Sequence, residues 1–190
     1  MDEQRKRKLQ MLGLLFCQGG WNKAAYIKKK HIFHHMGEKC YYHPFLLPAE
    51  PHLVSLGDNV FVGTGVRLIT HNMANCVYNH DGNYNEEQAL IPQVGTIVIG
   101  NNVFIGAGAM ILPNVTIGNN CIIAAGAVVT KDVSDGVVAA GVPAREIGKY
   151  DKEALKCIQY NKDFYKATGQ MKDKTLWEKE VYYFWEYGRK

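Results

Sequence analysis

The side chains of this chain best suited to moving a proton near neutral pH are its seven histidines: His31, His34, His35, His43, His52, His71 and His80. His71 is set apart by its surroundings, Leu68-Ile69-Thr70-His71-Asn72, where an aliphatic segment hands over to a long polar stretch. A histidine held at a strand end beside a loop can serve as a positioned general base. The same position suits a packed structural histidine, and residue type alone leaves both readings open. The grouping His31-His34-His35 suggests metal, but it falls in a Lys-rich segment with helical spacing and lacks partnering carboxylates or cysteines. A solvated helix face is the expectation there, with no metal. The runs Arg5-Lys6-Arg7-Lys8 and Lys28-Lys29-Lys30 are short and carry few aromatics, so solvated faces and no nucleic-acid partner are expected. The chain has no nucleophile elbow, no HExxH and no Walker-type phosphate loop.

The elements that must position His71 show in a gap in the charge pattern. Charged residues are 21% of the 190, yet the 43 residues from Gln88 to Thr130 contain no Asp, Glu, Lys, Arg or His. A membrane span needs about 20 consecutive apolar residues. Here Pro92, Asn101, Asn102, Pro113, Asn114, Asn119 and Asn120 interrupt the stretch. An apolar fraction of 47% also excludes disorder. Within the gap every sixth residue is aliphatic: Ile99, Ile105, Ile111, Ile117, Ile123 and Val129. Four residues after each stands a small apolar one: Val103, Ala109, Val115, Cys121, Ala127 and Val133. Gly100-Asn101-Asn102 recurs as Gly118-Asn119-Asn120, so three hexads make one larger repeat. A period of six fits short strands broken by turns, not a helix. Stacked about 4.8 Å apart, such strands put Ile99 on Ile117, Ile105 on Ile123 and Ile111 on Val129. The expected fold is mainly β: a parallel β-helix with triangular coils.

An earlier block, Leu56 to Leu68, repeats the pattern out of phase with Ile99. The text between, about 71–96, is polar and turn-rich, with Asn72, Asn75, Asn79, Gly82, Asn83 and Asn85, and reads as a loop thrown out of the solenoid. The expected organisation is an N-terminal helical segment over 1–39, the hexapeptide-repeat β-helix over 40–148 and a C-terminal helical tail over 149–190. The flanks hold all three tryptophans (Trp21, Trp177 and Trp185) and are expected to cap the open solenoid ends or make subunit contacts. Both flanks are basic and the middle is mildly acidic. Five scattered cysteines without a Cys-x-x-Cys pair, and no visible secretory leader or transmembrane segment, lead to the expectation of a cytoplasmic protein with reduced thiols.

With these columns, the loop opening at Thr70-His71, the segment Ile123-Ala-Ala-Gly-Ala-Val-Val-Thr-Lys-Asp132 and the segment Ala139-Ala-Gly-Val-Pro-Ala-Arg-Glu-Ile147, the chain resembles the hexapeptide-repeat acyltransferases. The similarity is greatest to the maltose/galactoside O-acetyltransferase group, with the xenobiotic (streptogramin and chloramphenicol) acetyltransferases as near relatives. The resemblance implies a left-handed coil, a homotrimer with active sites between subunits, and acetyl-CoA as co-substrate without a metal. It implies His71 as the base that deprotonates an acceptor hydroxyl, and the backbone N–H of Ala107 as the oxyanion donor. Ala107, Ala125, Thr130 and Lys131 would line the pantetheine groove, and Arg145 would meet the CoA phosphates.

The departures concern the acceptor and one cation. Cys40-Tyr-Tyr-His-Pro44 and the 46–54 region lack clear equivalents of the groups that hold sugar, and Phe104 stands where Trp is usual. Gly148 replaces a second arginine, with Lys149 adjacent. The implied function is O-acetylation of a sugar or saccharide. The alternatives are a xenobiotic acetyltransferase, N-acetylation of an amino sugar, or a β-helix without acyl transfer, either carbonic-anhydrase-like or a passive scaffold. A metal at a subunit interface would need several coil histidines, and the coils after the loop have none.

Overall fold

A computed structural model of the chain describes residues 3–81, 89–169 and 174–186. Gly82, Asn83 and Asn85 of the expected loop, and Gln88 at the start of the charge-free stretch, lie outside the described residues. The chain forms two compact units, Met1–Tyr150 and Asp151–Lys190.

The first unit opens with helices α1 (Glu3–Leu15) and α2 (Gly19–Lys29). Short strands then wind through three faces. The first face stacks β1 (His35–Met36), β3 (Val54–Leu56), β8 (Ile97–Ile99) and β11 (Val115–Ile117). The second stacks β2 (Tyr41–Tyr42), β4 (Val60–Val62), β9 (Val103–Ile105), β12 (Cys121–Ile123) and β14 (Val137–Gly141). The third stacks β5 (Arg67–Leu68), β10 (Met110–Ile111) and β13 (Val128–Val129). All these neighbours are parallel, which makes the unit a parallel β-helix. The last strand, β15 (Ala144–Lys149), folds back antiparallel on β14.

The aliphatic columns stand where the period put them: Ile99 beside Ile117, Ile105 beside Ile123, Ile111 beside Val129. Their side chains are at most 2% exposed, as are Ala109 and Ala127 in the narrower columns. Each fully buried Ile is worth roughly 1.5–3 kcal/mol of transfer free energy. At one corner Asn59, Asn102 and Asn120 take φ of 54 to 56°. The preceding glycines answer a different need: a Cβ on Gly100 would come within 2.8–2.9 Å of Gly118 backbone atoms and the Asn119 side chain. The side-chain oxygens of Asn101 and Asn119 accept backbone N–H groups of Asp58 (2.8 Å) and Asn101 (2.9 Å) in the preceding coil. Asp135 does the same for Asn119 at 2.8 Å. These polar side chains repeat because each coil supplies the acceptor for the one before it.

The phase break between Leu68 and Ile99 is an insertion at one corner. Gly95 N–H donates to Thr70 C=O (2.8 Å), so the chain leaves and re-enters at the same place. Leu56 stacks on Ile99, Val62 on Ile105 and Leu68 on Ile111 as if the insertion were absent. Its described part is ordered by β6 (His71–Asn72), α3 (Ala74–His80) and β7 (Gln93–Val94), with β6 and β7 antiparallel.

Three local expectations are corrected. The His31-His34-His35 segment is not helical: α2 ends at Lys29, His31 takes φ 50°, and His35 begins β1 against Ser55. Strands therefore enter the stack ahead of residue 40, in a coil where Met36 and Tyr42 stand beneath Leu56 and Val62. Val133 does not continue the Val115 column, because it pairs with Ile117 in a final coil two residues shorter.

The second unit consists of α4 (Tyr150–Thr168) and α5 (Leu176–Glu186). Phe164 is buried there, and Tyr183 packs edge-on against Phe164 and Tyr160, with ring centroids 5.5 and 5.4 Å apart. The side chains of Trp177 and Trp185 lie outside the described residues.

Candidate active site

His71 is the first residue past the buried corner residue Thr70, and its backbone pairs with Val94 of the returning arm. Asn72 Oδ1 accepts the Ala74 N–H (2.9 Å) and starts α3. Asn79 holds Leu90 through both its amide groups, each at 2.8 Å. Asn75 Nδ2 adds a third bond to the Leu90 carbonyl at 3.1 Å. The asparagines of the insertion thus bind its two arms together behind His71.

The side chain of His71 is held by Glu50, whose Oε2 lies 3.0 Å from Nδ1 and Oε1 3.2 Å. An ionised carboxylate only accepts, so Nδ1 carries the proton and Nε2 is the basic nitrogen. Glu50 is fixed in turn by Thr70: the Thr70 hydroxyl donates to Oε2 (2.5 Å), and the Glu50 N–H donates to Thr70 Oγ1 (3.2 Å). Partial burial alone would raise the Glu50 carboxyl. The hydrogen bonds from Thr70 and His71 and the charges of His71 and Arg7 more than offset it and hold the group below its ordinary value.

Neither partner was expected from the sequence, and Glu50 falls in the unassigned 46–54 region. The available signal was register. Glu50 precedes Thr70 by 20 residues, the step that separates His35 from Ser55 and Tyr41 from Phe61 in the first coil.

Two outcomes follow for Glu50→Gln. Turnover should drop about ten- to a hundredfold, below the ~10⁴ that a misoriented, fully buried triad histidine costs. A depressed carboxyl adds stability that is complete above its unfolded value of about 4.3 and vanishes as pH falls through the lower folded value. The variant should therefore melt below the wild type at pH 7, and the gap in Tm should close below about pH 4. A gap that ignores pH would count against the carboxylate assignment.

The remaining expected site residues fall in two other places. Ala107 and Ala125 are exposed and stack at the corner between the second and third faces, where Gly126 N–H donates to the Ala107 carbonyl (2.8 Å). Thr130 and Lys131 are exposed just past β13. Lys131 and Arg145 line one cleft of about 310 Å³ between the last coil and β15. Lys149 is engaged by Glu146 at 2.5 Å. His71 lines a different cleft of about 520 Å³ between β5 and the 43–49 segment, and the two clefts share no residue. One copy of the chain therefore holds His71 in one cavity and Lys131 and Arg145 in another.

The wall of the His71 cleft is anchored from inside. Lys23, only 2% exposed, donates to the His43 carbonyl (2.7 Å), and its Nζ sits 3.3 Å from the centre of the Phe45 ring. Desolvation lowers its pKa. His43 Nδ1 also lies 2.8 Å from Thr64 Oγ1.

The repeat that builds these clefts has relatives. Residues 96–131 match the family model described as bacterial transferase hexapeptide (six repeats). Over these residues the chain is similar to the bacterial transferase hexapeptide family. It is 42% identical over 118 residues to the protein CapG of Staphylococcus aureus, a match covering 62% of this chain and 64% of that one. It is 39% identical over 121 residues to a galactoside O-acetyltransferase of Escherichia coli (strain K12), covering 62% of this chain and 56% of that one. The chain thus spans less than two thirds of the length of either curated relative. Among solved structures it is similar to a galactoside acetyltransferase in complex with coenzyme A, with TM-score 0.58 and 27% identity, covering 78% of this chain and 80% of that chain. Among the described residues, no helix is long and apolar enough to cross a membrane.

Proposed function

We propose that this hexapeptide-repeat protein is an acetyl-CoA-dependent O-acetyltransferase that acts on a hydroxyl of a sugar or saccharide. The observation that carries the reading is the Glu50–His71 pair at the edge of a cleft, which leaves Nε2 as the free basic nitrogen. In the proposed step Nε2 takes the proton of the acceptor hydroxyl as its oxygen attacks the thioester carbonyl carbon of acetyl-CoA. The tetrahedral oxyanion accepts the backbone N–H of Ala107. Collapse breaks the C–S bond, and the departing thiolate takes the proton from His71 to give CoA and the acetyl ester. The acetyl group never rests on the protein. The likeness to a galactoside acetyltransferase that holds coenzyme A supports the donor.

Ala107 and Ala125, small and stacked at one corner, would let pantetheine lie against the backbone. Thr130 and Lys131 would follow it towards Arg145, which would meet the phosphates. Because one chain keeps His71 and the Lys131–Arg145 cleft apart, the complete site is assigned to the boundary between copies. The assembly is a homotrimer of left-handed coils, as the family resemblance implies. The division into an N-terminal helical segment, the β-helix and a C-terminal helical tail, and a cytoplasmic location, belong to the same proposal.

Charge-assisted bonds to phosphate contribute about 1.5–3 kcal/mol each. Lys131→Ala and Arg145→Ala should therefore each raise the KM for acetyl-CoA about tenfold or more, with a smaller change in kcat. Thiol release from acetyl-CoA against a panel of neutral, acidic and amino sugars tests the reaction itself. Acceptor-dependent release with an O-acetyl product is expected, and release that ignores every acceptor would refute the proposal.

A further inference from the structure

The cleft that holds His71 has a charge pattern that acetyl transfer does not require. Its ionisable lining is Arg7, Arg67, His43 and His71, and none of the described residues lining it is Asp or Glu. Glu50 meets His71 at Nδ1 and does not line the cleft. Arg67 stands on the outward, exposed position of β5. Arg7 arrives from α1, where its charge acts on Glu50, yet its Nε is buried without a hydrogen-bond partner. A buried guanidinium N–H with no acceptor is a standing cost. The rest of the wall is mostly apolar, including Pro44, Phe45 and Leu47.

We propose that this cleft selects an anionic saccharide, one whose carboxylate or phosphate oxygens pair with the guanidinium of Arg7 where it lines the cleft, with Arg67 as a second cation. The inference rests on the acyl-transfer reading above and names the acceptor class for it. Guanidinium suits this role because its planar fork pairs with carboxylate and phosphate oxygens in two parallel hydrogen bonds. The anionic group would bind at the Arg7 side of the cleft, leaving a hydroxyl of the same sugar to reach Nε2 of His71.

The test measures kcat/KM for methyl hexuronides, hexose 1-phosphates and neutral methyl hexosides of the gluco and galacto series with saturating acetyl-CoA. One anionic class should exceed the neutral hexosides by about tenfold or more, and the better class identifies the group as carboxylate or phosphate. Arg7→Gln should reduce that preference about tenfold, chiefly through the KM of the anionic acceptor. Neutral hexosides at or above both anionic classes would overturn the inference. So would equal losses on charged and neutral acceptors in Arg7→Gln, which would mark Arg7 as a counter-ion of Glu50 only. Should Arg7→Gln fail to fold, Arg67→Gln at its exposed position reads the same preference, and an unchanged preference there counts against the proposal. Turnover that survives His71→Ala sinks the underlying reaction, whereas turnover that needs His71 but favours neutral sugars sinks this inference alone.

Discussion

His71→Ala is expected to lower turnover by about 10²–10⁴ while CoA binding and the fold persist. The size follows from the role: without Nε2 the acceptor hydroxyl must lose its proton to water as it attacks, and nothing returns a proton to the departing thiolate. The proposed oxyanion donor and acetyl-CoA groove are untouched, so a residual rate above water is expected. Stability should change little. The side chain is about a third exposed, and Glu50 keeps both its links to Thr70. Steady-state thiol release should therefore collapse in a variant whose Tm and calorimetric CoA affinity stay close to the wild type. Wild-type turnover in that folded variant would remove His71 from the mechanism.

The largest loss of stability should come from a single methyl group. In Gly106→Ala the new Cβ would stand 2.4 Å from the Ala125 nitrogen and 2.8–2.9 Å from the Ala124 and Ala125 carbons, all of them backbone. No side chain can swing aside, so one coil must separate from the next at the corner that carries Ala107 and Ala125. Forced overpacking of this kind costs about 3 kcal/mol, which for a chain of this size lowers Tm by about 10 °C. Gly108→Ala, two residues on, separates crowding from conformation. Its Cβ would meet nothing within 4 Å, but φ is +71°, so only the left-handed penalty of about 1–2 kcal/mol applies. Thermal melts that rank Gly108→Ala as the more damaging would contradict the close stacking of backbone at this corner.

How much of this could be read from the chain depends on what each feature leaves in the text. The columns from Ile99 to Val129 were legible because each buried position recurs at a fixed step, and stacking needs nothing more. The insertion was visible as polar text, but its return to Thr70 was not. A hydrogen bond from Gly95 to Thr70 leaves no spacing signature. Glu50 was hidden for a related reason. It becomes Thr70's neighbour only through the 20-residue step of the first coil, which keeps the corner glycine as Gly37 but carries Glu38 and Lys39 where the Gly100 and Gly118 corners have a pair of asparagines. The Asn59, Asn102 and Asn120 corner was legible as turns, but the ladder of side-chain oxygens from Asn101 to Asp135 depends on register between coils. Arg7 and the cleft wall depend on where helices dock, which residue type does not encode.

The insertion that leaves at Thr70 and comes back at Gly95 has one more consequence. Because the coil closes across that pair whatever lies between, the excursion can change in length and content without shifting a single step of the aliphatic stack. The entropic toll of a longer excursion grows only logarithmically, about 0.6 kcal/mol for each doubling. The solenoid can therefore act as an invariant chassis and the excursion as an exchangeable cassette. A transplant of another repeat protein's cassette between Thr70 and Gly95 should alter which molecules are accepted while leaving the melting behaviour of the coils almost as it was.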